Sequence, residues 1–94
     1  MNPRCLVLLE FDAGWCVPCQ KVSPVLKDLA QKFKGKIRLV TVDVDTSSEM
    51  VDKYGVFSIP SVIFVRNGRE VNRIVGAKSR SHYRAAIINS LKRE

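Results

Sequence analysis

The 94-residue chain has three cysteines, four prolines, five glycines and a single histidine, and no apolar run longer than five residues. Three cysteines are too few, and of the wrong parity, for a disulfide scaffold. So little glycine and proline excludes a collagen-like or low-complexity chain. The longest apolar run, Cys5-Leu6-Val7-Leu8-Leu9, ends at Glu10. It is far short of a bilayer span and has no small-residue cleavage site, so neither a membrane segment nor a signal peptide is expected. A cytoplasmic, reducing compartment is the default. Aromatic residues make up 7% and are not interleaved with the basic ones, which argues against nucleic-acid binding. Acidic residues are also scarce, nine against sixteen Lys and Arg, for a net charge of +7. The imbalance sits in residues 66–94, where eight basic residues face two acidic ones. No basic run reaches five residues, so a solvated basic face is the plainer reading and an acidic partner the alternative.

Apolar periodicity supplies what composition does not. A chain of this length buries about two-thirds of its unfolded surface, enough for one core, and residues 1–94 are expected to form one domain. Residues 5–11 and 37–44 are short apolar runs of strand length, the second rich in β-branched side chains. Between them Val22, Val25, Leu26, Leu29 and Phe33 form one helical stripe, predicting a helix from near Cys16 to Gly35 that is kinked at Pro24. Thr46 and Glu49 have capping-box spacing before a short helix that Gly55 ends. Residues 61–65 and 70–75 flank Asn67-Gly68, a type I′ hairpin signal, and a last helix follows from about 79 to 91. The order β-α-β-α-β-β-α predicts an α/β sandwich whose first two strands are parallel.

The chemistry centres on Trp15-Cys16-Val17-Pro18-Cys19 at a strand-to-helix junction. A cysteine at a helix N-terminus meets unpaired N–H groups and the positive end of the dipole, which favours its thiolate. Cys19 is one turn inside, close enough to close a small disulfide ring. This pattern predicts an exposed attacking thiol, Cys16, and a shielded resolving thiol, Cys19. A structural zinc site would need four ligands, and Cys5 and His82 lack ligand spacing, so no metal is expected. Cys5 reads as a small buried hydrophobe and His82 as a surface residue. Glu10 interrupts an apolar strand; burial would raise its pKa and suit it to proton exchange, unless its side chain reaches solvent.

These features resemble the thioredoxin family. Phe11 to Cys19 looks like the family's strand end and active-site turn, residues 54–61 (Tyr-Gly-Val-Phe-Ser-Ile-Pro-Ser) like the approach to its cis-proline, and Val75-Gly76-Ala77 like the bend after its last strand. The resemblance covers Leu6 to Leu91. It implies a thioredoxin-like four-stranded mixed sheet flanked by helices, in spatial order 37–44, 5–11, 61–65, 70–75, with residues 37–44 at an open edge. It implies a cis bond before Pro60 beside Cys16, with the Ile59 backbone free to pair with an extended substrate. Trp15, Val17, Pro18, Ile59, Pro60, Val75, Gly76 and Ala77 would form the substrate groove. Glu10 stands where the family has an aspartate, which implies the base that deprotonates Cys19.

The chain departs from the family in lacking its first strand and helix. Asp12 replaces a tryptophan, Thr41 a lysine and Val17 a glycine, while the reductase-type Pro18 is kept. The expected function is reduction of protein disulfides by the Cys16–Cys19 dithiol, with no bound cofactor. Thioredoxin reductase or an equivalent would restore the dithiol, and a monomer is expected. Two other readings are a binding module that docks an acidic partner through Arg66, Arg69, Arg73, Lys78, Arg80 and Arg84, and a disulfide oxidase or isomerase.

Overall fold

A computed structural model of the chain describes residues 5–92, and its elements follow the expected order. They are β1 (Leu6–Asp12), α1 (Val17–Lys32), β2 (Ile37–Asp43), α2 (Ser48–Tyr54), β3 (Ser61–Arg66), β4 (Arg69–Val75) and α3 (Arg80–Lys92). The four strands form one sheet in the order β2-β1-β3-β4. β1 and β2 are parallel, and the other two pairings are antiparallel. This is the four-stranded mixed sheet that the family resemblance implied, with β2 at an edge.

Strand alternation divides the side chains between two cores. Leu6 and Leu8 of β1 join Val22, Leu26 and Leu29 of α1 and Tyr83 and Ile87 of α3 on one face. Leu9 and Phe11 join Val42, Ile63 and Val65 on the other, beneath the half-buried Met50, Val51 and Tyr54 of α2. Glu10 shares the parity of Leu6 and Leu8, so it belongs to the α1/α3 side.

The local signals succeed or fail for identifiable reasons. Asn67 and Gly68 have φ of 53° and 75°, the left-handed pair that a type I′ turn requires. Gly55 closes α2 in the left-handed region at φ 62°. α1 continues unbroken through Pro24, which lies on the exposed side, where the carbonyl that loses its partner can meet water. The capping box expected at Thr46 does not form. Ser47, not Thr46, is the N-cap of α2 and makes no side-chain cap bond; Thr46 belongs to the turn after β2, its backbone N–H on the Asp43 carbonyl at 3.2 Å.

Candidate active site

β1 delivers the chain to the N-terminus of α1, and there the local sequence builds the reactive turn. Cys16 is the N-cap, with extended φ and ψ of −89° and 104°, and Pro18 lies in the first turn, where a missing N–H disturbs no intrahelical bond. Cys16 Sγ accepts a hydrogen bond from the Cys19 backbone N–H at 3.2 Å. The two cysteines lie at disulfide distance, with Cα atoms 5.3 Å apart. The sulfur of Cys16 therefore sits on the donor end of a 16-residue helix with no acidic residue in its first turn, a field that favours thiolate once the bond is reduced.

The expected exposure of Cys16 needs correction. Cys16 is 4% exposed and Cys19 1%, because both pack with Ala13 against the half-buried Val44 and Ile59. Exposure belongs instead to the surrounding residues: Trp15, Val17, Val75 and Phe57 are all exposed large hydrophobics, Phe57 almost completely. Trp15 is held in place by its indole N–H, which donates to Asp45 Oδ2 at 2.9 Å.

The Ile59–Pro60 peptide is cis, as the resemblance implied. The Gly76 N–H donates to the Pro60 carbonyl at 2.8 Å, tying the bend at 75–77 to the cis-proline. Gly76 has φ of 90°, a conformation that disfavours a side chain. Buried Tyr83 braces the same bend, donating its hydroxyl to the Gly76 carbonyl and accepting from the Lys78 N–H, both at 3.2 Å. Burial pushes the Tyr83 phenol up, opposed by the Lys78 bond. Ile59 thus packs against the cysteine pair, and the 75–77 bend is tied to the neighbouring Pro60. A cavity of about 400 Å³ is lined by Trp15 and Ile59 together with Val44, Val51, Val56 and Phe57. Of these, Val44 and Val51 escaped sequence reasoning because they read as ordinary strand and helix positions, while Val56 and Phe57 figure there only as part of the approach to Pro60.

Glu10 is completely buried, so the reading in which its side chain reaches solvent is wrong. The Ser23 hydroxyl donates to Glu10 Oε2, and the Thr41 hydroxyl to Oε1 at 3.4 Å. Desolvation raises the Glu10 pKa above the usual carboxylate value, against the Ser23 bond, which lowers it. Thr41, standing in place of a lysine, thus supplies a hydroxyl to the carboxylate. Asp12 lies opposite Asp43 in the β1–β2 register. Burial first and then Asp43 raise its pKa as well.

The remaining singled-out residues lie apart from this chemistry. Cys5 is half-buried rather than in the core, its thiol directed at the Leu6 carbonyl at 3.8 Å. His82 is exposed on α3, as expected. Of the basic residues proposed to meet an acidic partner, three are engaged within the protein. Arg73 pairs with Glu70 and donates to the Tyr54 and Gly55 carbonyls, Arg80 pairs with Asp28, and Arg66 donates to the Leu91 carbonyl at 3.4 Å. Among the described residues no group of three or more His, Cys, Asp or Glu is placed to hold a metal ion, and no helix is long and apolar enough to cross a membrane.

A redox-capable cysteine pair capping a helix, beside a cis-proline on a four-stranded mixed sheet, defines a thiol–disulfide oxidoreductase. Comparison with known proteins carries this further. The thioredoxin family profile matches residues 1–89. Thioredoxin 1 of Nostoc sp. is 41% identical over 71 residues, covering 76% of this chain and 66% of that protein. The bifunctional thioredoxin reductase/thioredoxin of Mycobacterium leprae is 43% identical over 85 residues, 90% of this chain and 18% of that one. Fasciola hepatica thioredoxin superimposes with a TM-score of 0.86 at 32% identity, over 93% of this chain and 82% of the other. The chain belongs to the thioredoxin family, whose chemistry rests on a redox-active disulfide and needs no cofactor.

Proposed function

We propose that residues 1–94 act as a single domain that reduces disulfides in protein substrates, with Cys16 as nucleophile and Cys19 as resolving thiol. The observation that carries this assignment is the Cys16 sulfur at the N-cap of α1, within reach of Cys19 and packed against Ile59. The Cys16 thiolate attacks a substrate disulfide; one substrate sulfur leaves and takes a proton, and the other stays joined to Cys16. Cys19 then attacks Cys16, the second substrate sulfur leaves, and the Cys16–Cys19 bond forms. The substrate gains two electrons and the cysteine pair loses them.

Glu10 takes the Cys19 proton in the second step. Its burial supports this role, since a carboxylate of raised pKa is matched to proton exchange near neutral pH. Trp15, Val17, Pro18, Ile59, Pro60 and the 75–77 bend receive an extended substrate segment. A thioredoxin reductase or equivalent returns the dithiol state; the Mycobacterium leprae relative, which joins both activities in one chain, supports such a partner. A cytoplasmic, reducing setting suits a working pair alongside the free thiol of Cys5. One chain supplies the whole constellation, so a monomer suffices.

Cys16→Ser is expected to lose insulin-disulfide reduction to the uncatalysed rate while keeping its fold by circular dichroism. Retained activity would sink the assignment. The acidic-partner module is less well supported, because Arg66, Arg73 and Arg80 are turned to internal acceptors. An oxidase or isomerase would be favoured by a reduction potential well above thioredoxin's about −270 mV.

A further inference from the structure

Glu10 is buried with no salt-bridge partner among the described residues, yet both of its oxygens are engaged by hydroxyls. The closer one comes from Ser23. Ser23 follows Cys19 by four residues on α1, one helical turn or about 6 Å of rise along the same face. The helix that carries the resolving thiol therefore also carries the group that grips the buried acid. Ser23 is half-buried, one position after the buried Val22 of α1.

We propose that Ser23 is a positioning residue for disulfide exchange: its hydroxyl, donated to Glu10 Oε2, holds the carboxylate in register with the Cys19 turn of α1 and ready to accept a proton. The proposal rests on the reading of Glu10 as the base for Cys19. A hydroxyl suits this task differently from a cation. It stabilises the carboxylate through one hydrogen bond while leaving no fixed positive charge that would keep Glu10 ionised throughout the cycle. Glu10 then accepts the Cys19 proton as resolution proceeds and releases it afterwards. Other charged and titratable groups facing Glu10 are Asp12 on β1, Lys27 on α1 and the Tyr83 phenol on α3, with Asp43 on β2 acting on Asp12. Asp12 and Lys27 oppose one another in their effect on Glu10. The hydroxyls of Ser23 and Thr41 both favour the charged form.

The test uses the whole chain with Ser23→Ala, Ser23→Thr, Glu10→Gln and the double variant Ser23→Ala/Glu10→Gln. The first readout is the titration midpoint of the Glu10 carboxyl by carbon-13 NMR. Loss of a bond to the charged form raises that midpoint in Ser23→Ala, and Ser23→Thr, which keeps the hydroxyl, restores it. The second readout is the rate at which a mixed disulfide on Cys16 is resolved as a function of pH. In Ser23→Ala the acid limb moves to higher pH and resolution on that limb slows about tenfold, the loss expected for one hydrogen bond to a charged group. In the Glu10→Gln background Ser23→Ala has no further effect.

An unchanged Glu10 midpoint in Ser23→Ala overturns the inference, whatever the rates do. Equal slowing with and without Glu10 also overturns it, since Ser23 would then act only on the helix. If instead Glu10→Gln leaves the acid limb intact, the base reading itself fails, and that outcome is visible without any Ser23 variant.

Discussion

Among the described residues, twelve are buried in one cluster on the α1/α3 face of the sheet, against six on the α2 face, where α2 contributes no fully buried side chain. The thick face closes over Glu10 and shields it from water, which raises its pKa and makes it useful as a proton acceptor. The thin face stays open and presents Trp15, Ile59 and Phe57 around a cavity of about 400 Å³. Cys16 and Cys19 pack with Ala13 against Val44 and Ile59, two residues that also line the apolar opening. In the proposed function, proton chemistry thus falls on the thick face, which also holds most of the core, and substrate contact on the thin one.

Substitutions on the two faces should therefore separate stability from recognition. The largest effect is expected on the thick face: Leu26→Ala, at a completely buried position of α1, removes about 2–5 kcal/mol of unfolding free energy. Urea denaturation checks this, with the KM for a protein disulfide unchanged. A loss below about 1 kcal/mol would mean the face is less tightly built than its burial implies.

Glu10→Gln probes the cost of placing an acid on that face. Because the folded-state pKa is raised, by desolvation above all, the folded protein holds its proton more tightly than the unfolded chain does. Stability is thus highest below the ordinary glutamate pKa and falls as pH rises towards and through the folded value. Glu10→Gln removes this fall, so its Tm should exceed that of the parent at pH 8 by more than at pH 4. A Tm difference independent of pH would contradict the account. Disulfide reduction should weaken in the same variant, opposite to its effect on stability.

The smallest effect on stability is expected on the thin face. Phe57 is 99% exposed, so Phe57→Ser should change unfolding free energy by less than about 0.5 kcal/mol. Its expected consequence is a KM for protein disulfides raised about threefold with kcat unchanged, the signature of lost apolar contact rather than lost chemistry. A variant with unaltered KM would remove Phe57 from the substrate surface.

All seven elements are readable from periodicity and turn residues, because each carries its own local signal: the Val22–Leu29 stripe, Asn67-Gly68, and the Cys16-Pro18 start of α1. The cysteine pair was legible for the same reason, Glu10 as a carboxylate interrupting an apolar strand, and Pro60 through the family resemblance. What escaped depends on neighbours far apart in the chain. Ser23 meets Glu10 across 13 residues, and Trp15 meets Asp45 across 30. Thr46 shows the converse failure, where a good local capping signal lost to a turn with Asp43. Arg66, Arg73 and Arg80 looked like a free basic surface because their acceptors lie in other elements.

The most direct test of the central claim is a trapping experiment with Cys19→Ser and a disulfide-bonded protein substrate. Without its resolving thiol, the chain should accumulate a mixed disulfide that mass spectrometry of proteolytic peptides places on Cys16 and that dithiothreitol releases. Attachment at Cys5, or no covalent complex at all, would contradict it.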